Sequence, residues 1–457
     1  MVPILNQKPS PEPELTLREL PYLRGWPIIG HTIAILRDPT GWAERQRYRV
    51  GDTYAVNFLF QKRAVLGGVE ALEQLLLNQE QSYSAEMAYK LVFGHLTDTS
   101  LLMMDFSKHR NHRSALNPAF KTAMMESYLE RMDAVIKARL EACAKGSEFL
   151  FYPAVKQLTL DVATDVFLGL PPGVDQHMVN QALTDILGSS VAVVRLPIPG
   201  TRWGKALKAK RALEKYLSSQ IGERRSAGGS DVFSQLCRTL DESGNLLTDE
   251  EIIGHLLTFW VAGHDTLASS LSTLAYHLAK NPAWQQKLAD EISELPYGAG
   301  ELAIAELQAL PLCGFAFREA LRLMPPAIVV PRGTLKETSF KGYRIPKGMQ
   351  ISASIYAVHH DDTLWPEPEK FDPMRFAPEN ANPNRSRFAF SPFGGGAHKC
   401  IGMIFAEIQA KCFLVNLLRH YRVSLPNGYE LEMTMLPTPR PADGLPLRVN
   451  KVRVNKV

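Results

Sequence analysis

Phe393-Gly394-Gly395-Gly396-Ala397-His398-Lys399-Cys400-Ile401-Gly402 lies near the C-terminal end of the 457-residue chain. Consecutive glycines after an aromatic residue cannot comfortably propagate a helix or a strand, because glycine gives up the most backbone entropy when ordered. The run therefore forms a tight loop or lies against something flat, and it presents one cysteine. From Ile401 to His420 apolar residues recur at Ile401, Phe405, Ile408, Cys412, Phe413, Val415, Leu417 and Leu418, a helical spacing. Cys400 thus sits at or just before a helix N-terminus, where peptide dipoles and unpaired N–H groups stabilise a thiolate. Taken alone, such a cysteine could equally be a small residue packed under a turn.

The complete order Phe-x-x-Gly-x-His-x-Cys-x-Gly is more specific. It resembles the haem-binding loop of the cytochrome P-450 (haem-thiolate monooxygenase) family, in which the cysteine thiolate is the axial iron ligand. The resemblance implies Cys400 as the metal ligand, Phe393 beside the sulfur, and glycines, Gly396 among them, holding the loop close to the porphyrin of haem b (iron protoporphyrin IX). His398 stands where most members carry an arginine that pairs with a haem propionate. Sterol-demethylase-like members share the histidine.

The chain is 45% apolar and 21% charged, the proportions of a folded globular protein. A net charge of +4 over this length gives no reason to expect nucleic-acid binding. Cys143, Cys237, Cys313, Cys400 and Cys412 are odd in number and widely spaced, which argues against a disulfide framework or structural zinc and for a reducing compartment. Met1 to Leu5 is too short an apolar run for a signal peptide or a membrane span. No later segment is expected to cross a bilayer, so the sequence reads as a soluble cytoplasmic protein without a transmembrane anchor.

Residues 1–20 are rich in proline and glutamate and read as a loosely attached arm. Gly25 to Gly30 resembles the family's proline- and glycine-marked entry segment. Thr53–Phe58 and Arg63–Leu66 read as a strand pair and Val69–Asn78 as a helix, giving a β-rich lobe over about residues 21–80. A helical body follows over about 81–420, interrupted at Asn117-Pro118, Gly146, Pro171-Pro172 and Pro197 to Pro199, and β hairpins close the chain over about 421–457. The expected fold is mainly α with a smaller β lobe (α+β), one haem-enclosing domain over residues 21–457.

Thr248-Asp249-Glu250-Glu251 has the spacing of a capping box. Helical spacing continues to Lys280, where Asn281-Pro282 stops it, so this helix is on the order of 45 Å long. Its middle reads Ala262-Gly263-His264-Asp265-Thr266, a poor choice for stability because an interior glycine costs roughly 1 kcal/mol against alanine. By resemblance this pentapeptide forms a bulged turn over the distal haem face, where small residues admit dioxygen and Asp265 and Thr266 relay protons. Without the resemblance, Thr266 could be bonding its own backbone and Asp265 could be a solvated acid.

Glu319 and Arg322 share one helix face, and as an isolated pair would be worth little. With Arg375 in Pro373-Met374-Arg375-Phe376 they resemble the family's structural triad, which locks the region holding the haem loop. His109, Arg113, Arg332 and His398 match positions that hold the haem propionates, for which arginine is the best donor. His112 reads as an ordinary surface base. Lys108, Arg110, Lys121 and Lys399 would flank the proximal side, suited to an acidic electron donor.

By resemblance, substrate-facing walls come from Met87 to Leu102, Ser189 to Pro199, Phe259, Val261 and Ala262, Ala327, Ile328 and Val329, and Met435 to Pro437. These are almost entirely apolar and so suit a lipophilic molecule, with Lys90 and Arg195 leaving a fatty or retinoid-like acid open. The implied activity is insertion of one oxygen atom from O2 into a steroid, terpenoid, retinoid or fatty-acid-like substrate by a monomer. Electrons would come from NAD(P)H through a ferredoxin- or flavodoxin-type donor with its reductase. The rivals are a haem-thiolate isomerase, dehydratase or peroxide-driven hydroxylase, which needs Cys400 but not Asp265 and Thr266, and a non-catalytic haem sensor.

Overall fold

The computed structural model describes residues 17–94, 99–146, 148–170, 176–188, 196–296 and 302–452. Residues 1–16 of the expected arm over 1–20, the Pro171-Pro172 break and most of the Ser189 to Pro199 wall, Arg195 included, lie outside these, while Arg18–Glu19 of that arm is a strand paired with Tyr343–Arg344.

Segments distant in sequence build the β lobe. Strands β1 (Tyr22–Leu23), β2 (Tyr54–Phe58), β3 (Gln61–Leu66), β4 (Tyr83–Ser84), β5 (Val329–Thr334) and β6 (Gln350–Ser354) form one sheet in the order β1-β2-β3-β6-β5-β4. β2 and β3 are an antiparallel hairpin, β3 runs parallel to β6, and β6 is antiparallel to β5, with Ile351 opposite Arg332. The register therefore ties the Arg332 strand to the N-terminal lobe, although more than 260 residues of sequence separate them. The terminal strands Tyr421–Ser424 and Pro446–Lys451 pair with each other, and the latter also pairs with Glu148–Leu150, so the closing β region is anchored on the helical body.

The helical body contains α1 (Thr32–Arg37), α2 (Phe106–Leu116), α3 (Thr122–Cys143), α4 (Phe151–Ala163), α5 (Arg202–Ala227), α6 (Asp249–Lys280), α7 (Pro311–Leu323) and α8 (Met403–His420) among its elements. α6 starts where the sequence places it. The Thr248 hydroxyl accepts from Glu251 N–H at 3.2 Å while the Glu251 carboxylate accepts from Thr248 N–H at 2.9 Å, so two otherwise unpaired donors are satisfied. It stops at Asn281, ahead of Pro282, which cannot continue the hydrogen-bond ladder.

α6 runs through the core and packs on α4 and α7, while α8 packs on α3. Trp260, Leu271 and Leu274 from α6, Phe317 and Leu321 from α7, and Phe413 and Leu414 from α8 are buried together. The helical stretch Gly396–His420 is, by length and composition, apolar enough to cross a membrane, which corrects the expectation that no segment would be. Its apolar character serves the core, since 61% of its most apolar window is buried.

Candidate functional site

The cysteine loop is closed by its own backbone: Cys400 N–H donates to the Phe393 carbonyl at 2.8 Å and Gly394 N–H to Ser391 O at 3.0 Å. Helix α8 begins at Met403, so Cys400 precedes it, and the Gly402 N–H is directed at the sulfur. The expected reason for Gly396 was approach to a porphyrin. The structure gives another: with φ of +60°, an added Cβ would lie 2.0 Å from the Leu76 carbonyl oxygen, so glycine lets the loop sit against the end of the helix Val69–Leu77. Phe393 packs on the helical core through a half-buried ring.

Cys400 keeps accessible surface. Burial nevertheless raises its thiol pKa, opposed by the Gly402 N–H, Arg113 and Lys399. Exposure of the residue together with desolvation of its thiol fits a sulfur directed into a binding site rather than at bulk water. An iron bound there would supply the missing charge and convert the thiol to the thiolate.

The four predicted propionate contacts converge. His109 and His398 lie against each other with ring centroids 3.9 Å apart and planes tilted by 31°, and both rings lie within electrostatic range of Arg113 and Arg332. Arg113 reaches across to donate to the Lys399 carbonyl at 2.6 Å, coupling α2 to the cysteine loop. Arg332 is only 4% exposed. It donates to the Pro331 carbonyl at 2.8 Å, and among the described residues no carboxylate pairs with it. Asp105, 3.9 Å from His398, partly offsets the group. A nearly buried guanidinium without a counter-ion is costly, so the cluster fits an anionic ligand such as the haem propionates. Burial, with the neighbouring cations, brings His109 down to about 4 and His398 to about 3, so both rings are neutral near pH 7.

Helix α6 departs from expectation. It is continuous helix through Ala262 to Thr266, without the bulge, and the Thr266 hydroxyl donates to the Ala262 carbonyl at 2.7 Å. Gly263 has a packing reason of its own: an added Cβ would stand 2.8 Å from the Phe167 ring, which packs on the helix backbone. Asp265 is held at 2.8 Å by Lys156 of α4, with the Tyr152 hydroxyl also bonded to it. Lys156 and Tyr152 carried no sequence signal, because the contact joins residues more than 100 positions apart.

Of the predicted walls, Ala262, Ala327 and Val329 keep accessible apolar surface and Val261 is half-buried. Phe259 and Ile328 are more buried: Phe259 packs edge-on to Phe120 at 4.9 Å, and Ile328 accepts from Tyr356 N–H through its carbonyl. His112 is no surface base either, since its Nδ1 lies 3.0 Å from Nε2 of the fully buried His255.

Glu319 and Arg322 are both fully buried. They form a two-point pair at 2.8 and 2.9 Å, and Arg375 Nε lies 3.3 Å from the same carboxylate. Arg322 also donates to the His359 and Pro368 carbonyls, and Asp372 N–H donates to Glu319. His359, which sequence reading passed over, carries this network to the cysteine loop. Its Nδ1 bonds the Arg322 carbonyl at 3.1 Å and its Nε2 accepts from Ser391 N–H at 3.1 Å. Lys108, Arg110, Lys121 and Lys399 are exposed and, among the described residues, form no ion pair.

An accessible, desolvated cysteine beside an anion-seeking cation cluster is the donor set of a haem-thiolate protein. The Cytochrome P450 family model matches residues 20–445, and the chain belongs to that family. Cytochrome P450 136 of Mycobacterium tuberculosis is 36% identical, over 96% of this chain and 90% of its own length. The beta-amyrin 28-monooxygenase of Solanum lycopersicum is 29% identical over 93% of this chain and 91% of its own length. The structure of retinoic acid-bound cyanobacterial CYP120A1 superposes with a TM-score of 0.86 at 27% identity, covering 95% of this chain and all of that one. The protein is a cytochrome P450 monooxygenase, a haem-thiolate enzyme that uses O2 and a redox partner on a lipophilic substrate.

Proposed function

We propose that the enzyme hydroxylates a terpenoid- or retinoid-like molecule, with haem b as its prosthetic group and electrons delivered from NAD(P)H by a ferredoxin- or flavodoxin-type protein and its reductase. Bound through Cys400, the haem would supply oxygen activation. The observation that carries the reading is the accessible, desolvated Cys400 beside Arg113, with accessible apolar Ala262, Ala327 and Val329 available to bind a lipophilic body. Arg113, Arg332, His109 and His398 would hold the propionates as donors.

The chain's own contribution to proton supply starts at Asp265. Its contact with half-exposed Lys156 gives it a route to solvent, while Tyr152 orients the carboxylate. The Thr266 hydroxyl, donating to Ala262 O, has lone pairs free to accept a proton donor in the pocket. Unpaired Lys108, Arg110, Lys121 and Lys399 form the surface that an acidic electron carrier would meet. The beta-amyrin and retinoic acid relatives support the two substrate classes named.

The test is a spectral titration of purified ferric protein with triterpenoids, retinoids, steroids and fatty acids, followed by reconstitution with a ferredoxin and reductase. A saturable shift and a hydroxylated product from a terpenoid or retinoid are expected. Shifts and products only from fatty acids or steroids would overturn the substrate assignment.

A further inference from the structure

Asp105 stands at the N-cap of α2, where an aspartate ordinarily accepts from the first N–H groups of its own helix. Its side chain makes no such bond. Phe106, the next residue, is left-handed with φ of +50°, a conformation that is costly for a residue bearing a Cβ. The carboxylate instead reaches back to partners 21 and 20 residues earlier: Ser84 Oγ donates to it at 2.5 Å and Ala85 N–H at 2.8 Å. Two local rules are broken at adjacent positions, and what they are exchanged for is this long-range clasp.

The clasp lies where the substrate-facing wall Met87 to Leu102 leaves the β lobe, and Asp105 follows the other end of that wall. The Ser84 hydroxyl also accepts from Met87 N–H at 2.9 Å, which fixes the first turn of the helix Glu86–Phe93. Met87 is held on the sheet as well. Gln350 donates to its carbonyl at 3.2 Å, and its side chain fills the space that a Cβ on Gly333 would need, 2.7 Å away. Ser84 pairs with Gly333, the neighbour of Arg332. One carboxylate thus closes the neck of the wall, and the neck rests on the strand that carries Arg332. The same carboxylate lies 3.9 Å from His398 Nε2, with 14% of its side chain exposed, so solvent screens it poorly from the cation cluster.

We propose that Asp105 is a positioning residue with two tasks: as a hydrogen-bond acceptor it fixes the neck of the substrate-facing wall, and as a charge beside His398 it weakens the hold of the cation cluster on the haem propionates. The first task rests on the reading of Met87 to Leu102 as a wall of the substrate pocket. The two tasks separate chemically. Asparagine can accept from Ala85 N–H and donate to Ser84 Oγ, so Asp105→Asn keeps the neck and removes the charge. Ser84→Ala loosens the neck and keeps the charge.

The test uses the holoproteins of Asp105→Asn, Asp105→Ala and Ser84→Ala in two measurements: spectral titration with 4-phenylimidazole, whose nitrogen binds ferric iron while its phenyl ring fills the pocket, and the rate of haem transfer to excess apomyoglobin. The probe reads the wall whatever the substrate, so failure of the terpenoid and retinoid titrations would overturn the substrate assignment alone. Asp105→Ala should weaken the probe about tenfold, Ser84→Ala about fivefold, and Asp105→Asn less than about twofold. Haem transfer should slow about threefold in Asp105→Asn and stay at the wild-type rate in Ser84→Ala. If Asp105→Ala does not fold with haem, the other two variants carry both comparisons. Wild-type probe affinity in Ser84→Ala, or a tenfold loss in Asp105→Asn, would overturn the neck assignment. Haem transfer from Asp105→Asn as fast as from the wild type, or faster, would overturn the charge assignment.

Discussion

At Gly263 two effects of similar size oppose each other. Replacing an interior helical glycine with alanine ordinarily stabilises by roughly 1 kcal/mol, but here the new methyl would meet the Phe167 ring at 2.8 Å. That ring is almost fully buried and packs between Phe120 and Phe405, so it cannot swing away. Overpacking of this kind costs about 1–3 kcal/mol, and Gly263→Ala is predicted to lower Tm; an unchanged or higher Tm would show that the ring yields. Cys400→Ser should abolish the red-shifted carbon monoxide band of the reduced protein, since only the thiolate is both anionic and strongly electron-donating. Thr266→Ala should leave haem content intact but lower product per NAD(P)H and raise released peroxide, and Asp265→Asn should slow turnover. If neither variant changes coupling or rate, the Asp265 and Thr266 roles fail. Asp265 and Thr266 could be found only through the resemblance of the contiguous run Ala262 to Thr266 to the family's pattern. What held them could not: Lys156, Tyr152 and Phe167 meet α6 only through tertiary packing, and the regular helix at Thr266 follows from a hydroxyl bond that spacing alone left open.

Among the elements, the strap over Pro366–Arg375 is held by carbonyls aimed at charged groups. Arg375 and Arg322 donate into the Pro366, Glu367 and Pro368 carbonyls, and both share the Glu319 carboxylate. Removing the acid leaves a fully buried guanidinium unpaired, a change costing roughly 3–5 kcal/mol. Glu319→Ala should therefore reduce both Tm and haem content, and a purified variant with full haem and wild-type Tm would show that the carbonyls alone suffice. The Glu319 and Arg322 spacing announced the pair, and the capping box announced where α6 begins. The link onward to Ser391 was not legible, because His359 lies in a run of ordinary composition and becomes a bridge only when α7, the short helix Ile355–His359 and the cysteine loop meet. The sheet was half legible: the β2–β3 hairpin shows its alternation, while its pairing with β6 is a long-range register that no local pattern encodes.

For the molecule as a whole, buried histidines set the acid limit. Burial brings His255, His277 and His359 each down to about 3 from an ordinary value of 6.5. Above pH 6.5 these rings are neutral in both folded and unfolded chains and do not favour either. As pH falls below 6.5 the unfolded chain takes up protons that the folded chain refuses, so stability declines progressively toward pH 4, by up to about 1.4 kcal/mol per pH unit for each ring. His359 makes the decline structural. Protonated, its Nε2 could no longer accept from Ser391 N–H, and the anchor between the buried pair and the cysteine loop would open. His359→Gln can keep a donor toward Arg322 O and an acceptor toward Ser391 N–H but cannot titrate. The prediction is that proton uptake on unfolding at pH 5, measured potentiometrically, falls by about one proton in His359→Gln, with haem retained to lower pH than in the wild type. Uptake equal to wild type would mean that His359 is already protonated in the folded chain at that pH, and the acid sensitivity would have to reside in the His112–His255 contact or at His277 instead.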